Sequence, residues 1–148
     1  MCKSITFETK LGFIYAKEKN NRIIEIKFGK LKNKKPGKLL YFLKKEIINF
    51  LNKRNKKILI PAKIIGNSNQ KKVWKEISSI GYGKTKSYLT IAKKTKLTPR
   101  YVGKICGQNN LLLFVPCHRV IRSDGNIGGF SAPKGIETKK QLLELEKI

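Results

Sequence analysis

Acidic residues are scarce in this chain: nine Asp and Glu stand against 34 Lys and Arg in 148 residues, a formal charge of +25 at pH 7. That excess goes well beyond what solubility requires and makes a polyanion the default partner, nucleic acid first and an anionic membrane surface second. A compositional preference for Lys at tolerant surface positions is the alternative reading of the charge, because the lysines are scattered along the whole chain. Cysteine is as sparse. Cys2, Cys106 and Cys117 form neither an even framework nor a C-x-x-C pair, which argues against structural disulfides and a zinc site and fits a reduced cytosol. No metal and no cofactor is expected. Histidine occurs once, at His118. No run of 18 apolar residues occurs and MCKSITFE lacks the apolar core of a signal peptide, so a cytoplasmic chain without membrane attachment is expected.

What is present suits a globular protein: 40% hydrophobic and 9% aromatic residues. The length allows one good core, or a small domain leaning on a slightly larger one. The basic excess is not a tail. It concentrates between residues 67 and 110, where ten basic residues meet only Glu76.

Apolar and polar residues alternate over 4–9, 12–17 and 22–28, with Ile5, Phe7, Phe13, Tyr15, Ile24, Ile26 and Phe28 on the apolar beat and breaks at Gly12 and Asn20-Asn21. This predicts three antiparallel strands in a meander. Leu39, Leu40, Leu43, Ile47, Ile48, Phe50 and Leu51 recur at three- and four-residue spacing, as in a helix with one apolar face. The stretch 58–69, with Pro61 and Gly66, reads as a strand followed by a linker, and a boundary is placed near Gly66. Beyond it, Val73, Trp74 and Ile77 mark a helix that stops at Gly81-Tyr82-Gly83. Two short helices follow, one carrying Leu89, Ile91 and Ala92 and the other Val102 and Ile105, with Thr98 as cap and Pro99 in the first turn of the second. This is the layout of a helix-turn-helix, although many helical hairpins bind nothing. The predicted class is α+β: a small antiparallel-sheet-plus-helix domain over 1–66, and a mostly helical domain with a helix-turn-helix over 67–148.

The most informative stretch is LLLFVPCHRVIRSDG. Leu111 to Val115 are expected to arrive as a buried extended run, with Pro116 opening a helical turn. Cys117 then sits at a helix N-terminus, where peptide dipoles and the nearby Arg119 and His118 are expected to lower its thiol pKa. The alternative is that Cys117 is a small buried hydrophobe and His118 an ordinary satisfied polar group. Neighbours on a helix do not face one another, so a His118 base is expected to reach the thiol through water.

Pro116-Cys117-His118-Arg119-Val120 resembles the active-site motif of the O6-alkylguanine-DNA alkyltransferases. The likeness runs from Gln70-Lys71-Lys72-Val73-Trp74 through Tyr82-Gly83, Ser87-Tyr88 and Arg100-Tyr101-Val102-Gly103. It continues past the motif through Ser123-Asp124-Gly125, Gly128-Gly129-Phe130-Ser131 and the ending Leu142-Leu143-Glu144-Leu145-Glu146. The first half matches only in general layout. Asn69 stands where the family often has Phe, and a longer stretch around Ser131 makes Glu146, rather than Glu144, the match through the LLELE ending.

The resemblance implies DNA repair by direct reversal, without a cofactor, by a monomer acting on double-stranded DNA that contains O6-alkylguanine. Cys117 corresponds to the alkyl acceptor, His118 to the base that deprotonates it through water, Glu146 to the carboxylate that orients the histidine, and Asn109 to the hinge asparagine. Tyr88 corresponds to the tyrosine that donates to the leaving base and crowds the target phosphate. Arg100 matches the finger that replaces the extruded base, and Thr98, Tyr101 and Lys104 are implied as further DNA contacts on the same helix. Val120 and Ser131 match positions lining the guanine pocket. The helix-turn-helix is implied to enter the minor groove while the base is flipped. Three rival readings are a lesion-binding relative, which would lack the acceptor cysteine, a cysteine hydrolase, and a plain helix-turn-helix regulator.

Overall fold

The computed structural model describes residues 2–130 and 134–147. The chain forms two compact units, one of residues up to Ile65 with Asn110–Phe114, the other of Gly66–Asn109 with the residues from Val115 onward.

In the first unit β1 (Lys3–Thr9), β2 (Gly12–Lys19) and β3 (Arg22–Phe28) make an antiparallel sheet in the order β1-β2-β3. Strand alternation buries Ile5, Phe7, Ile14 and Ala16 on one face, so that β2 turns Ile14 and Ala16 inward and not the expected Phe13 and Tyr15. The β2–β3 hairpin turns through Asn20 and Asn21, both at positive φ (52° and 61°), the conformation that a two-residue turn needs to match the strand twist. Ile24 was expected on the inner face. Instead Lys17 pairs with Glu25 and Glu18 with Ile23, so Ile24 is the extra residue of a bulge, and Ile23 takes the buried place with Ile26. Helix α1 (Lys38–Leu51) lays Leu40, Leu43, Ile47, Phe50 and Leu51 against β1 and β2.

The expected strand within 58–69 does not form. Only Ala62 bridges to Ile23, with the Ile23 N–H donating to the Pro61 carbonyl at 2.8 Å and the Lys63 N–H to the Ile23 carbonyl at 2.9 Å. Pro61 has no N–H with which to continue a ladder. The run from Leu111 to Val115 also departs from expectation. Leu111 bridges to Ile26, but Leu113 turns into the left-handed region (φ 68°) and the Phe114 N–H donates back to the Leu112 carbonyl at 2.8 Å. A γ-turn replaces the extended segment, while Leu111, Leu112, Leu113 and Val115 stay buried.

The second unit is mostly helical: α2 (Ser68–Ser78), α3 (Tyr88–Thr95), α4 (Pro99–Gly107) and α5 (Ile136–Leu145), with a short parallel pair β4 (Lys86–Ser87) and β5 (Val120–Ile121). Despite Asn69, α2 starts cleanly. The Asn67 side chain accepts from the Gln70 N–H at 2.8 Å and the Gln70 side chain accepts from the Asn67 N–H at 2.9 Å, a capping box that stabilises the helix start by about 1 kcal/mol. A Cβ on Gly66 would fall 2.6 Å from the Trp74 ring, so only glycine leads into this helix without displacing its core. Ser87 caps α3 and Thr98 caps α4, with Pro99 in the first turn and Lys96 in the left-handed conformation (φ 61°) between the two helices. Val73, Trp74, Ile77, Ile91, Ala92, Val102, Ile105 and Leu142 fill the core. No helix among the described residues is long and apolar enough to cross a membrane.

Candidate active site

Pro116 (φ −81°, ψ 65°) is the centre of a second γ-turn, in which the Cys117 N–H donates to the Val115 carbonyl at 2.8 Å. The Arg119 N–H then donates to the Pro116 carbonyl at 2.9 Å and closes a 3-10 turn over Cys117–Arg119. Cys117 therefore does not start an α-helix, and three residues align too few peptide units to supply the expected dipole. The expected lowering of its thiol is overturned as well. A hydrogen bond with Cys106, followed by burial, pushes the Cys117 thiol well above its ordinary value, against the opposing influence of Lys139 and Asn109.

Arg119 does not supply its charge to the sulfur. Its Nε donates to Glu146 Oε1 at 2.8 Å, its Nη2 to Glu146 Oε2 at 3.0 Å and its Nη1 to the Ile80 carbonyl at 2.8 Å. His118 Nε2 reaches Glu146 Oε2 at 2.5 Å, and the Gly83 N–H donates to Oε1 at 3.3 Å. His118 and Glu146 are each 1% exposed. Burial opposes the charge on Glu146, but the hydrogen bonds and charges of His118 and Arg119 outweigh it and hold the carboxyl down to about 2. A carboxylate has no proton to give, so His118 Nε2 carries the hydrogen of that bond and Nδ1 holds the free lone pair. Nδ1 is buried and has no hydrogen-bond partner among the described residues. Burial lowers the His118 pKa, against Glu146, so the imidazole rests neutral and able to accept a proton.

Tyr88, the first residue of α3, is half-buried, and burial pushes its phenol up to about 12, helped by Cys106 and Cys117 and opposed by Arg122. Its Oη lies 3.3 Å from Lys139 Nζ. Gly128 adopts φ 78°, and a Cβ there would stand 3.2 Å from the Tyr88 hydroxyl, so this close approach suits glycine. Tyr88 and Arg100 line a cleft of about 520 Å³ together with Pro99, Gly103, Arg122 and Ser123. Arg100 is exposed on the first turn of α4.

Asn109 bridges the two ends of the motif loop: its Nδ2 donates to the Val115 carbonyl at 2.9 Å and its side chain also hydrogen-bonds the Cys117 thiol. Val120 is fully buried in β5, paired with Lys86. Thr98 and Lys104 are exposed and Tyr101 half-buried on α4, the Thr98 hydroxyl accepting from the Tyr101 N–H at 3.1 Å. Ser131 lies outside the described residues. Among the described residues no group of three or more His, Cys, Asp or Glu side chains could hold a metal ion.

Sequence reasoning missed Lys139, which is 0% exposed and beside Cys117. A usable signal existed. Leu142 and Glu146 define the inward stripe of α5, and Lys139 stands three residues before one and seven before the other, on the same face.

The family model described as 6-O-methylguanine DNA methyltransferase, DNA binding domain, matches residues 68–148. A methylated-DNA–protein-cysteine methyltransferase of Sulfolobus acidocaldarius is 48% identical over 82 residues, 55% of this chain and 51% of that protein. The inducible methylated-DNA–protein-cysteine methyltransferase of Bacillus subtilis is 35% identical over 94% of this chain and 81% of its own length. The chain thus spans about half the length of the archaeal relative and four-fifths of the bacterial one. A solved structure of Mycobacterium tuberculosis OGT in complex with DNA superposes with a TM-score of 0.86 at 26% identity, covering 97% of this chain and 92% of that one.

Proposed function

Since the chain belongs to the 6-O-methylguanine DNA methyltransferase family, we propose that it repairs DNA by moving the methyl group of O6-methylguanine in double-stranded DNA onto Cys117, irreversibly and once per molecule. The observation that carries this reading is the junction of two features. A buried cysteine is followed by a histidine whose one free nitrogen is basic and whose other nitrogen is locked by a carboxylate, and Tyr88, whose phenol that cysteine helps to raise, lines a cleft whose rim bears Arg100.

The raised thiol pKa shapes the mechanism. Cys117 rests as a thiol, so the nucleophile is made at the moment of reaction rather than stored. His118 Nδ1 takes the proton through a bridging water, and Glu146 stabilises the imidazolium that results. Sulfur attacks the methyl carbon as guanine O6 leaves, with Tyr88 donating to the departing base. The thioether is stable and returns nothing to the cysteine. The target base must leave the stack, at a cost of a few kcal/mol, which Arg100 offsets by filling the gap. Thr98, Tyr101 and Lys104 accompany it along the minor groove, where degenerate base edges suit an enzyme that scans all sequences. Val120 and Ser131 contribute main-chain groups to the base pocket, the unit containing α1 supports the methyltransferase unit, and the protein acts as a cytoplasmic monomer.

To test this, the protein is mixed with a duplex carrying O6-methylguanine, digested, and read by peptide mass spectrometry. One methyl on the Cys117 peptide, retained in Cys106→Ser and absent in Cys117→Ser, is expected. An unmodified peptide with excess lesion would leave the lesion-binding and regulator readings standing.

A further inference from the structure

Lys139 is a lysine with no exposed surface, and no carboxylate among the described residues pairs with it. Its ammonium donates to the Gly129 carbonyl at 3.2 Å and to Tyr88 Oη at 3.3 Å, and it lies 5.5 Å from the centre of the Tyr88 ring. A buried cation without a counter-charge is costly to keep, and a methionine of similar length would fill the same space without that cost. Such a residue persists where its charge or its proton is used.

The hydrogen-bond sense at Tyr88 is informative. An ammonium only donates, so the Tyr88 oxygen accepts from Lys139, and the single phenolic hydrogen is left to point elsewhere. We infer that Lys139 is a positioning residue and proton reserve for the methyl transfer, acting through Tyr88: it orients the phenolic hydrogen toward the leaving guanine and replaces that proton once it has been given up. The inference rests on the reading of Tyr88 as donor to the leaving base.

The step balances. The sulfur–carbon bond forms as the O6–carbon bond breaks, and the thiol proton goes to His118. The electron pair released on guanine takes the Tyr88 proton, and the phenolate takes one from Lys139, leaving a neutral amine. The proton that His118 gains comes from Cys117, and the one that Lys139 gives up leaves with guanine in exchange for the methyl group, so the charge of the buried cluster does not change. Burial is what makes the neutral amine accessible: it lowers Lys139 to about 8, against the opposing pull of Cys106 and Cys117. The titratable and charged groups around this pair are Tyr88 on α3, Cys106 on α4, Cys117 and His118 in the 3-10 turn, and Arg122 just past β5.

The full chain tests this with Lys139→Met, Tyr88→Phe and the double variant, each followed for single-turnover methyl transfer from pH 6 to 10. Parent rates should fall above about pH 8 as the reserve empties. Lys139→Met should be slower at neutral pH by about tenfold to a hundredfold and lack that alkaline fall. Because Lys139 acts through Tyr88, the double variant should be no slower than the slower single one. Thermal unfolding supplies the readout that a structural lysine would move the other way: losing an uncompensated buried cation should raise the Tm of Lys139→Met by several degrees. A parental alkaline limb in Lys139→Met, additive losses in the double variant, or a lowered Tm would each overturn the inference. A measurement without DNA separates it from the proposed function. The 13Cε resonance of Lys139 should titrate near pH 8 in the resting protein. A titration at the ordinary lysine value refutes the proton reserve even if repair is observed, whereas a titration near 8 without repair would fault the substrate and not the reserve.

Discussion

Replacing Glu146 by Gln keeps its shape and removes its charge, and the structure fixes how much should be lost. The carboxylate receives His118 Nε2, two nitrogens of Arg119 and the Gly83 N–H. A carboxyl held at about 2 instead of the ordinary 4.5 has its ionised form favoured by about 3 kcal/mol. Cutting one partner from a buried ion pair costs about 3–5 kcal/mol by independent reasoning, because Arg119 stays behind, 7% exposed and uncompensated. The two figures agree at about 3 kcal/mol, which lowers the Tm by roughly 6–12 °C for a chain of this size. Activity should fall further than stability explains. An amide can present its NH2 to His118 Nε2, which moves the ring proton to Nδ1, the nitrogen needed as base, and costs about 10²–10⁴ in rate. Urea unfolding and single-turnover transfer at 20 °C, well below both melting points, separate the two effects. Glu144→Gln is the control, since that carboxylate is exposed and, among the described residues, pairs only with Lys147, at 2.9 Å. Parental rate and stability in Glu146→Gln would refute the reasoning, and a loss in Glu144→Gln instead would move the role to the other carboxylate.

The pH dependence of stability has a defined sign: the folded-state value of Glu146 lies below its unfolded one, so its contribution is complete above about pH 4.5 and disappears as pH falls toward 2. Urea midpoints of the parent should fall across that window more steeply than those of Glu146→Gln, and parallel curves would show that the carboxylate is not the acid-sensitive group. Arg100→Ala should slow repair of duplex DNA while leaving reaction with free O6-methylguanine unchanged, and equal losses on both substrates would show that this arginine does not replace the flipped base. Asn67→Ala removes one half of the capping box and should cost about 1 kcal/mol in urea unfolding without touching transfer rates.

Local periodicity made much of the fold legible. The meander, α1 and the two capped helices follow from alternation, three-four spacing and the residues Thr98 and Pro99, whose preferences are properties of single positions. What stayed hidden depends on non-local pairing. Ile24 alternates correctly with Ile26 in sequence, yet the bulge opposite Lys17 and Glu18 turns Ile23 inward. The run of five apolar residues before Pro116 reads as a strand, but only Leu111 finds a strand to pair with, and the chain folds back at Leu113.

The site divides in the same way. Cys117, His118 and Glu146 are recognisable from the motif and the LLELE ending, and the structure brings the last two together at 2.5 Å. The electrostatics were not recognisable, because they depend on side chains distant in sequence. Cys106, eleven residues before the sulfur, raises its pKa, while Arg119, next but one to it, points its charge at Glu146. Lys139 looks like one more solvated lysine in a chain full of them until the packing of α5 turns it inward.

The most direct measurement uses a duplex with a tritiated methyl on guanine O6, titrated with increasing protein. Label should move from DNA to protein until one methyl is bound per molecule, all of it in the Cys117 peptide, with unmodified guanine left in the duplex. Label that stays in the DNA, escapes to solvent, or keeps turning over on a limiting amount of protein would contradict a sulfur that accepts one alkyl group and keeps it.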